Sequence, residues 1–208
     1  MDARQYLERP TKNDMRELPE FSGLPLDNIH LVESAEQVSF ARAQLGNCTH
    51  VGFDTESKPT FMAGEASTGP HVVQLASPEH AFLFTAKHLA GHALMSEILQ
   101  SDQIIKVGFG LKSDRGPIQR LLGVGLRTTI ELSVAVKRLG YRQQVGLQAA
   151  VAIVLGEYLP KSRKVTLSNW AAASLSPAQQ SYAANDAYAS LRVYLALART
   201  APQLLPPG

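Results

Sequence analysis

The sequence is poor in cysteine, with one residue, Cys48, in 208. A single thiol excludes an intramolecular disulfide and any cysteine-rich zinc or iron–sulfur site, and it fits a reducing compartment. Cys48 itself reads as a small, buried or half-buried residue. Long apolar runs are also missing: no stretch approaches the ~18–20 residues that a helix needs to cross a bilayer. The opening MDARQYLERPTKNDMRELPE is charged and lacks the apolar segment of a secretory signal. These absences give the expectation of a cytoplasmic chain with no membrane partner. Charge is sparse as well, at 18% of residues against 45% hydrophobic ones, which excludes a disordered chain. There is no internal repeat and no low-complexity segment.

What is present suits one globular domain with short tails, large enough to bury a core without a stabilising metal. Residues 1–26 are polar and contain Pro10, Pro19 and Pro25, which predicts a flexible or loosely packed N-terminal arm. Residues 27–200 form the expected domain, and PQLLPPG closes residues 201–208 as a tail that cannot continue a helix. Within the domain, Ser34 and Gln37 make a capping-box start for a helix over 34–46. Strands are predicted at 29–33, 51–54, 71–76, 80–84 and 104–109, with a short one near 128–131. Turn-rich pieces between 51–54, 71–76 and 80–84 suggest antiparallel neighbours. Helices are predicted at 88–100, at 113–122 with Ser113 as cap and Pro117 in the first turn, and at about 132–139 and 145–156. The last begins with Ser176, Pro177 and Gln179, and its apolar side runs through Ala184, Ala187, Tyr188, Leu191, Tyr194, Leu195 and Ala198. Strands come first and helices later, so the class is α/β or α+β around a mixed sheet.

The net charge of +2 conceals an asymmetry. Residues 103–165 hold eleven Lys and Arg and three acids, for +8, and the remainder is −6. Such a distribution fits a polyanion-binding surface, with a merely solvated basic face as the competing reading. Lys161, Arg163 and Lys164 form a short basic cluster suited to phosphate contacts. Of the six histidines, only His88 and His92 stand four residues apart, and they read as an exposed surface pair.

Three places carry candidate chemistry. In FDTES, residues 53–57, Asp54 and Glu56 are two apart at the end of an apolar strand. That spacing puts both side chains on one face, roughly 7 Å apart along the chain. Paired carboxylates raise each other's proton affinity unless a cation neutralises them, and hard ions such as Mg²⁺ or Mn²⁺ prefer such oxygens. Asp114 follows a buried strand and a glycine turn near a helix start, where an acid is favoured in any case. Tyr182 and Asp186 are four apart on the last helix and share a face that lies apart from most of its apolar stripe. A tyrosine hydroxyl one turn from a carboxylate can orient a water. Phe61 and Met62 follow the first motif and can stack on a terminal base, core packing being the alternative. Trp170 reads as structural.

Taken in order, VGFDTE (51–56), VVQLA (72–76), IIKVGFGLKSD (104–114), SNW (168–170) and YAANDAYASLRVY (182–194) resemble the DEDDy 3′–5′ exonucleases of the ribonuclease-H-like superfamily. The match is nearest to the Werner-syndrome exonuclease branch, with ribonuclease D more distant, and it covers about residues 29–198. The resemblance implies a ribonuclease-H-like mixed sheet flanked by helices in a single domain. It implies that Asp54, Glu56, Asp114 and Asp186 bind two divalent ions, Mg²⁺ or Mn²⁺, and that Tyr182 positions the attacking water. The activity implied is hydrolysis from single-stranded or recessed 3′ ends of nucleic acid, DNA favoured, releasing nucleoside 5′-monophosphates. Ribonuclease D-like trimming of RNA and a non-catalytic nucleic-acid-binding domain are the alternatives. The sequence departs from close relatives at Ser57, where they often carry Trp, and at Arg115-Gly116-Pro117, which lacks the aromatic of some members. Both departures bear on how the substrate end is gripped.

Overall fold

The computed structural model describes residues 6–62 and 64–206. Its centre is a six-stranded mixed sheet in the order β1-β4-β3-β2-β5-β6. The strands are β1 (Ile29–Leu31), β2 (His50–Glu56), β3 (Val72–Ala76), β4 (Ala81–Thr85), β5 (Ile105–Gly108) and β6 (Thr129–Glu131). As expected from the short connections, β2 and β4 each run antiparallel to β3, which lies between them. β5 and β6 join parallel to β2 and to each other, through crossovers that carry helices.

The alternation of side chains along the strands divides the core in two. Val51, Phe53, Val73, Leu75, Phe82 and Phe84 point to one face. There they meet α2 (Ala35–Gly46), α3 (His92–Gln100) and α4 (Leu111–Leu122). Val72, Ala76, Ala81 and Leu83 point to the other face, against α8 (Pro177–Thr200). α5 (Leu132–Lys137) and α6 (Leu147–Leu155) complete that second layer. β3 is buried along its whole length because helices cover both of its faces. Both capping boxes read from the sequence are formed, at Ser34 with Gln37 and at Ser176 with Gln179.

Several local expectations are corrected. α4 begins at Leu111, capped by Gly110 in the left-handed region (φ 75°) rather than by Ser113. The Glu131 carboxylate accepts from the Gly110 and Leu111 N–H groups at 3.1 and 2.9 Å, so an acid from β6 fills the helix N-terminus. Pro117 consequently falls inside the helix, beyond its first turn. α8 is buried around more of its surface than one stripe, through Ala183, Ala189, Ser190, Val193 and Leu197, because it lies between the sheet and α6. Leu195 points outward and is exposed. Two helices too short for periodic reading, α1 (Lys12–Arg16) and α7 (Arg163–Thr166), are added.

Of the segment expected as an arm, residues 1–5 lie outside the described residues. Within the rest, Leu7 pairs with Tyr141 and Glu20 with Tyr158, and Phe21 is buried in the core beside α8. In the expected tail, Pro202–Leu204 make a 3-10 turn, and residues 207 and 208 lie outside the described residues.

Lys106, counted above in the basic segment, is fully buried. Its ammonium donates to the carbonyls of Ile98, Ser101 and Ile104 at 3.1, 2.8 and 2.8 Å, closing the C-terminus of α3. Burial pulls its pKa down to about 8, with Asp102 opposing. Among the described residues no helix is long and apolar enough to cross a membrane.

Candidate active site

Gly52 decides how α8 meets the sheet. A Cβ built there would lie 2.0 Å from the carbonyl oxygen of Ala187, so only glycine permits this approach. The close approach brings Asp186, the neighbour of Ala187, beside Asp54 and Glu56. Carboxylate oxygens of Asp54, Glu56 and Asp186 lie within 4.8 Å of one another. Asp186 is buried, at 3% exposure, although its sequence position sets it off the apolar stripe. The reason is that the second face of α8 is covered by the sheet rather than by water.

Asp54 accepts a hydrogen bond from the Thr55 N–H at 2.9 Å. The Thr55 side chain points the other way along β2, where its hydroxyl donates to Asp114 at 2.8 Å. Asp114 is therefore outside the three-carboxylate cluster but electrostatically coupled to it, since its charge helps to raise the pKa values of Asp54 and Glu56.

Burial is the largest cause of the unusual acidity here. It raises Asp54 to about 8, with the Asp186 charge adding and Lys161 opposing. It also raises Glu56 to about 8, reinforced by Asp54 and Asp186. Asp114 is raised by burial against the Thr55 hydrogen bond, and Asp186 by burial against the charge and hydrogen bond of Lys161. Such a set of oxygen donors, crowded and lacking enough positive charge, fits a divalent cation in both chemistry and spacing.

Among the described residues, Lys161 is the cation placed inside this cluster. Its ammonium pairs with Asp186 at 2.5 Å and stands 5.1 Å from the centre of the Tyr182 ring. Burial pulls its pKa down, but Asp186, Tyr182 and Asp54 together hold it above the usual lysine value. Tyr182 is half-buried, with its hydroxyl 2.9 Å from that of Thr166 and its ring 5.9 Å from buried Trp170. Arg163 and Lys164 stand apart from the cluster, exposed on α7. Phe61 and Met62 are exposed at 76% and 77%, so core packing is excluded for both. The loop that carries them has no sheet or helix above it to bury them. His88 pairs with Glu33 and His92 with the Thr85 carbonyl, not with each other.

Sequence reasoning missed the supports. Thr55 and Thr166 carry no signal beyond being hydroxyls near the site. Asn185 accepts from the Leu24 N–H at 3.0 Å, while the Phe21 N–H donates to the Tyr158 carbonyl and the Tyr158 N–H to the Pro19 carbonyl, both at 2.8 Å. Residues 19–24 thereby tie together the turn of α8 that bears Asp186 and the segment that leads to Lys161. Gln74 was visible as the one polar residue in VVQLA, though not as a neighbour of Asp54.

A family model described as 3′–5′ exonuclease matches residues 29–201. The chain is 32% identical over 149 residues to the bifunctional 3′–5′ exonuclease/ATP-dependent helicase WRN of Mus musculus, a match covering 69% of this chain and 10% of that protein. It is also 32% identical over 206 residues to the exonuclease mut-7 homolog of Homo sapiens, covering 85% and 23%. The chain thus spans under a quarter of the length of these two relatives. Among solved structures, the Trypanosoma brucei RNase D complex with RNA U12 superposes with a TM-score of 0.68 at 21% identity, covering 81% of this chain and 61% of that one.

Proposed function

The chain belongs to the 3′–5′ exonuclease family, and from that premise we propose that it removes nucleotides from the 3′ ends of nucleic acid with Asp54, Glu56, Asp114 and Asp186 as metal ligands. The observation that carries this reading is the carboxylate cluster within 4.8 Å, in which burial and mutual repulsion raise the pKa values of Asp54 and Glu56 to about 8. Asp54, Glu56 and Asp186 would hold one divalent ion, and Asp114 would help to hold a second. Mg²⁺ or Mn²⁺ suits such hard donors. Bound ions of this kind lower the pKa of a water and offset the charge that develops on the leaving oxygen.

The side chains divide the remaining tasks. Tyr182, with its hydroxyl steadied by Thr166, orients the attacking water one helical turn from Asp186. Lys161 neutralises the acids when no metal is bound and faces the scissile phosphate when one is. Arg163 and Lys164 meet phosphates further along the strand, and Phe61 and Met62 offer an exposed apolar surface for the terminal base. An open groove of about 930 Å³ at the start of α4, the helix that bears Asp114, is lined by Lys112, Arg115, Thr129 and Gln144 and offers the strand a path. We take single-stranded or recessed DNA 3′ ends as the preferred substrate, nucleoside 5′-monophosphates as the products and the cytoplasm as the location. RNA is the second reading, favoured by the fold's likeness to an RNase D solved with RNA.

The test is a time course on 5′-labelled single strands and recessed duplexes, in DNA and RNA versions, with Mg²⁺, Mn²⁺ or EDTA. A ladder shortening from the 3′ end, lost with EDTA and with Asp54→Ala, is expected, and the relative rates rank DNA against RNA. No cleavage of any substrate by folded, metal-supplied protein would replace the enzyme by a binding domain.

A further inference from the structure

Gln74 is fully buried, and neither its Nε2 nor its Oε1 finds a hydrogen-bond partner in the protein. No other side chain among the described residues combines these two properties. Gln74 stands mid-way along β3, and register sets it directly across from Asp54 on β2, with Leu83 of β4 on its other flank. Residues directly opposite in an antiparallel pair point to the same face, with Cβ atoms about 4.5–5.5 Å apart. On that face the neighbours along β3 are Val72 and Ala76, and α8 covers the layer with Ala183, Ala184 and Ala187. The lateral row through Gln74 therefore runs from Asp54, through the amide, into an apolar wall.

An unpartnered amide in such a place opposes folding, and a methionine would fill the same space without that cost. The burden is understandable if the amide has work to do in another state of the site. One oxygen of Asp54 is already held by the Thr55 N–H. A second donor, arriving from the side, would fix the plane of the carboxylate. Ligand carboxylates commonly need such a support.

We infer that Gln74 is a positioning residue for the metal site: its Nε2–H donates, directly or through one buried water, to the Asp54 carboxylate when a divalent ion is bound. This rests on the reading of Asp54, Glu56 and Asp186 as metal ligands. In the metal-free protein neither atom of the amide reaches a hydrogen-bond partner. Once an ion holds the Asp54 carboxylate in place, the amide has a fixed acceptor across the strand pair. Gln74 thus stabilises the loaded site and burdens the empty one, the reverse of a packing residue.

The test uses the full chain and its Gln74→Met variant. Melting is followed in EDTA and across a Mn²⁺ titration, with single-turnover cleavage in parallel. The expected result is a melting temperature in EDTA equal to or above wild type. The Mn²⁺ concentration giving half the thermal shift should rise 10-fold or more. An unchanged Mn²⁺ midpoint overturns the inference, and so does a lower melting temperature in EDTA with that midpoint unmoved, which assigns Gln74 to packing. Absence of any Mn²⁺ shift in the wild type is a different failure: it removes the metal-site reading itself and the inference with it. Should the variant not fold, the wild type alone decides. Its Gln74 side-chain amide protons should shift and exchange more slowly when Mg²⁺ is added, and resonances that stay in place overturn the inference.

Discussion

Replacing Gly52 with alanine tests whether the approach of α8 to β2 sets the geometry of the acids. The new Cβ would sit 2.0 Å from the Ala187 carbonyl oxygen and 2.8 Å from its carbon, where ordinary contact begins at 3.4 Å. Relief requires the helix to lift by about 1.4 Å, because the obstacle is backbone and cannot rotate away. Overpacking of this kind costs about 1–3 kcal/mol, or roughly 2–12 °C in melting temperature for a chain of this size. The functional loss should be larger than the structural one. Asp186 is attached to the lifted segment, whereas Asp54 and Glu56 stay on the sheet, and a displacement of about 1 Å can cost about 100-fold in rate. The assay is single-turnover cleavage of a 5′-labelled strand with Mn²⁺, at a temperature where the variant is folded. Gly46→Ala is the control, since a Cβ there meets nothing within 4 Å, and it should leave the rate unchanged and the stability equal or slightly raised. A folded Gly52→Ala protein that cleaves at the wild-type rate, with wild-type Mn²⁺ stabilisation, would refute the link between this contact and the site.

Three further outcomes follow from the charges. Asp54 and Glu56 keep protons to about pH 8 that the unfolded chain releases near 4, so the metal-free fold should lose stability as pH rises between those limits. Neutral His30, His50 and His71, whose pKa values are lowered by burial, act in the opposite direction below about 6.5, which leaves pH 6.5–8 as the clean window. Each retained proton is worth about 1.4 kcal/mol per pH unit, or about 2 kcal/mol across that window. Melting in EDTA should fall accordingly and Mn²⁺ stabilisation should grow, and a flat or rising EDTA curve would contradict the raised acids. Lys106→Met should destabilise by about 2–5 kcal/mol in denaturant titrations, because three interior carbonyls lose their donor. Lys161→Met should lower metal-free stability at pH 8 by about 1–3 kcal/mol while enlarging the thermal shift produced by Mn²⁺, and an unaltered melting temperature in EDTA would show that the ion pair is not what balances the acids.

The elements with strong local chemistry were legible in the sequence. Ser34 with Gln37 and Ser176 with Gln179 announce helix starts whatever surrounds them, and the alternation around Asp54 fixes which residues share a face. Legibility failed where the partner is backbone or lies far along the chain. The start of α4 depends on Glu131 reaching back to Gly110, which made Ser113 look like the cap. Lys106 reads as one more surface charge because its partners are carbonyls at the end of α3. The burial of Asp186 follows from what lies over the second face of α8, and helical periodicity says nothing of that. Lys161 was read as a phosphate contact from its basic neighbours, and its pairing with Asp186 appears only once residues 161 and 186 are brought together in space.

The contact between β2 and α8 joins residues 52 and 187, near opposite ends of the domain. α8 supplies Asp186 and also the cover over β2 and β3, so one event completes both the hydrophobic core and the acid cluster. A chain still being synthesised lacks that cover and the acid cluster until residue 186 has been added and folded back. A fragment cut before Pro177 would likewise lack the acid cluster rather than retain a damaged one. On the reading of Asp54, Glu56 and Asp186 as metal ligands, assembly of the site is therefore tied to completion of the fold.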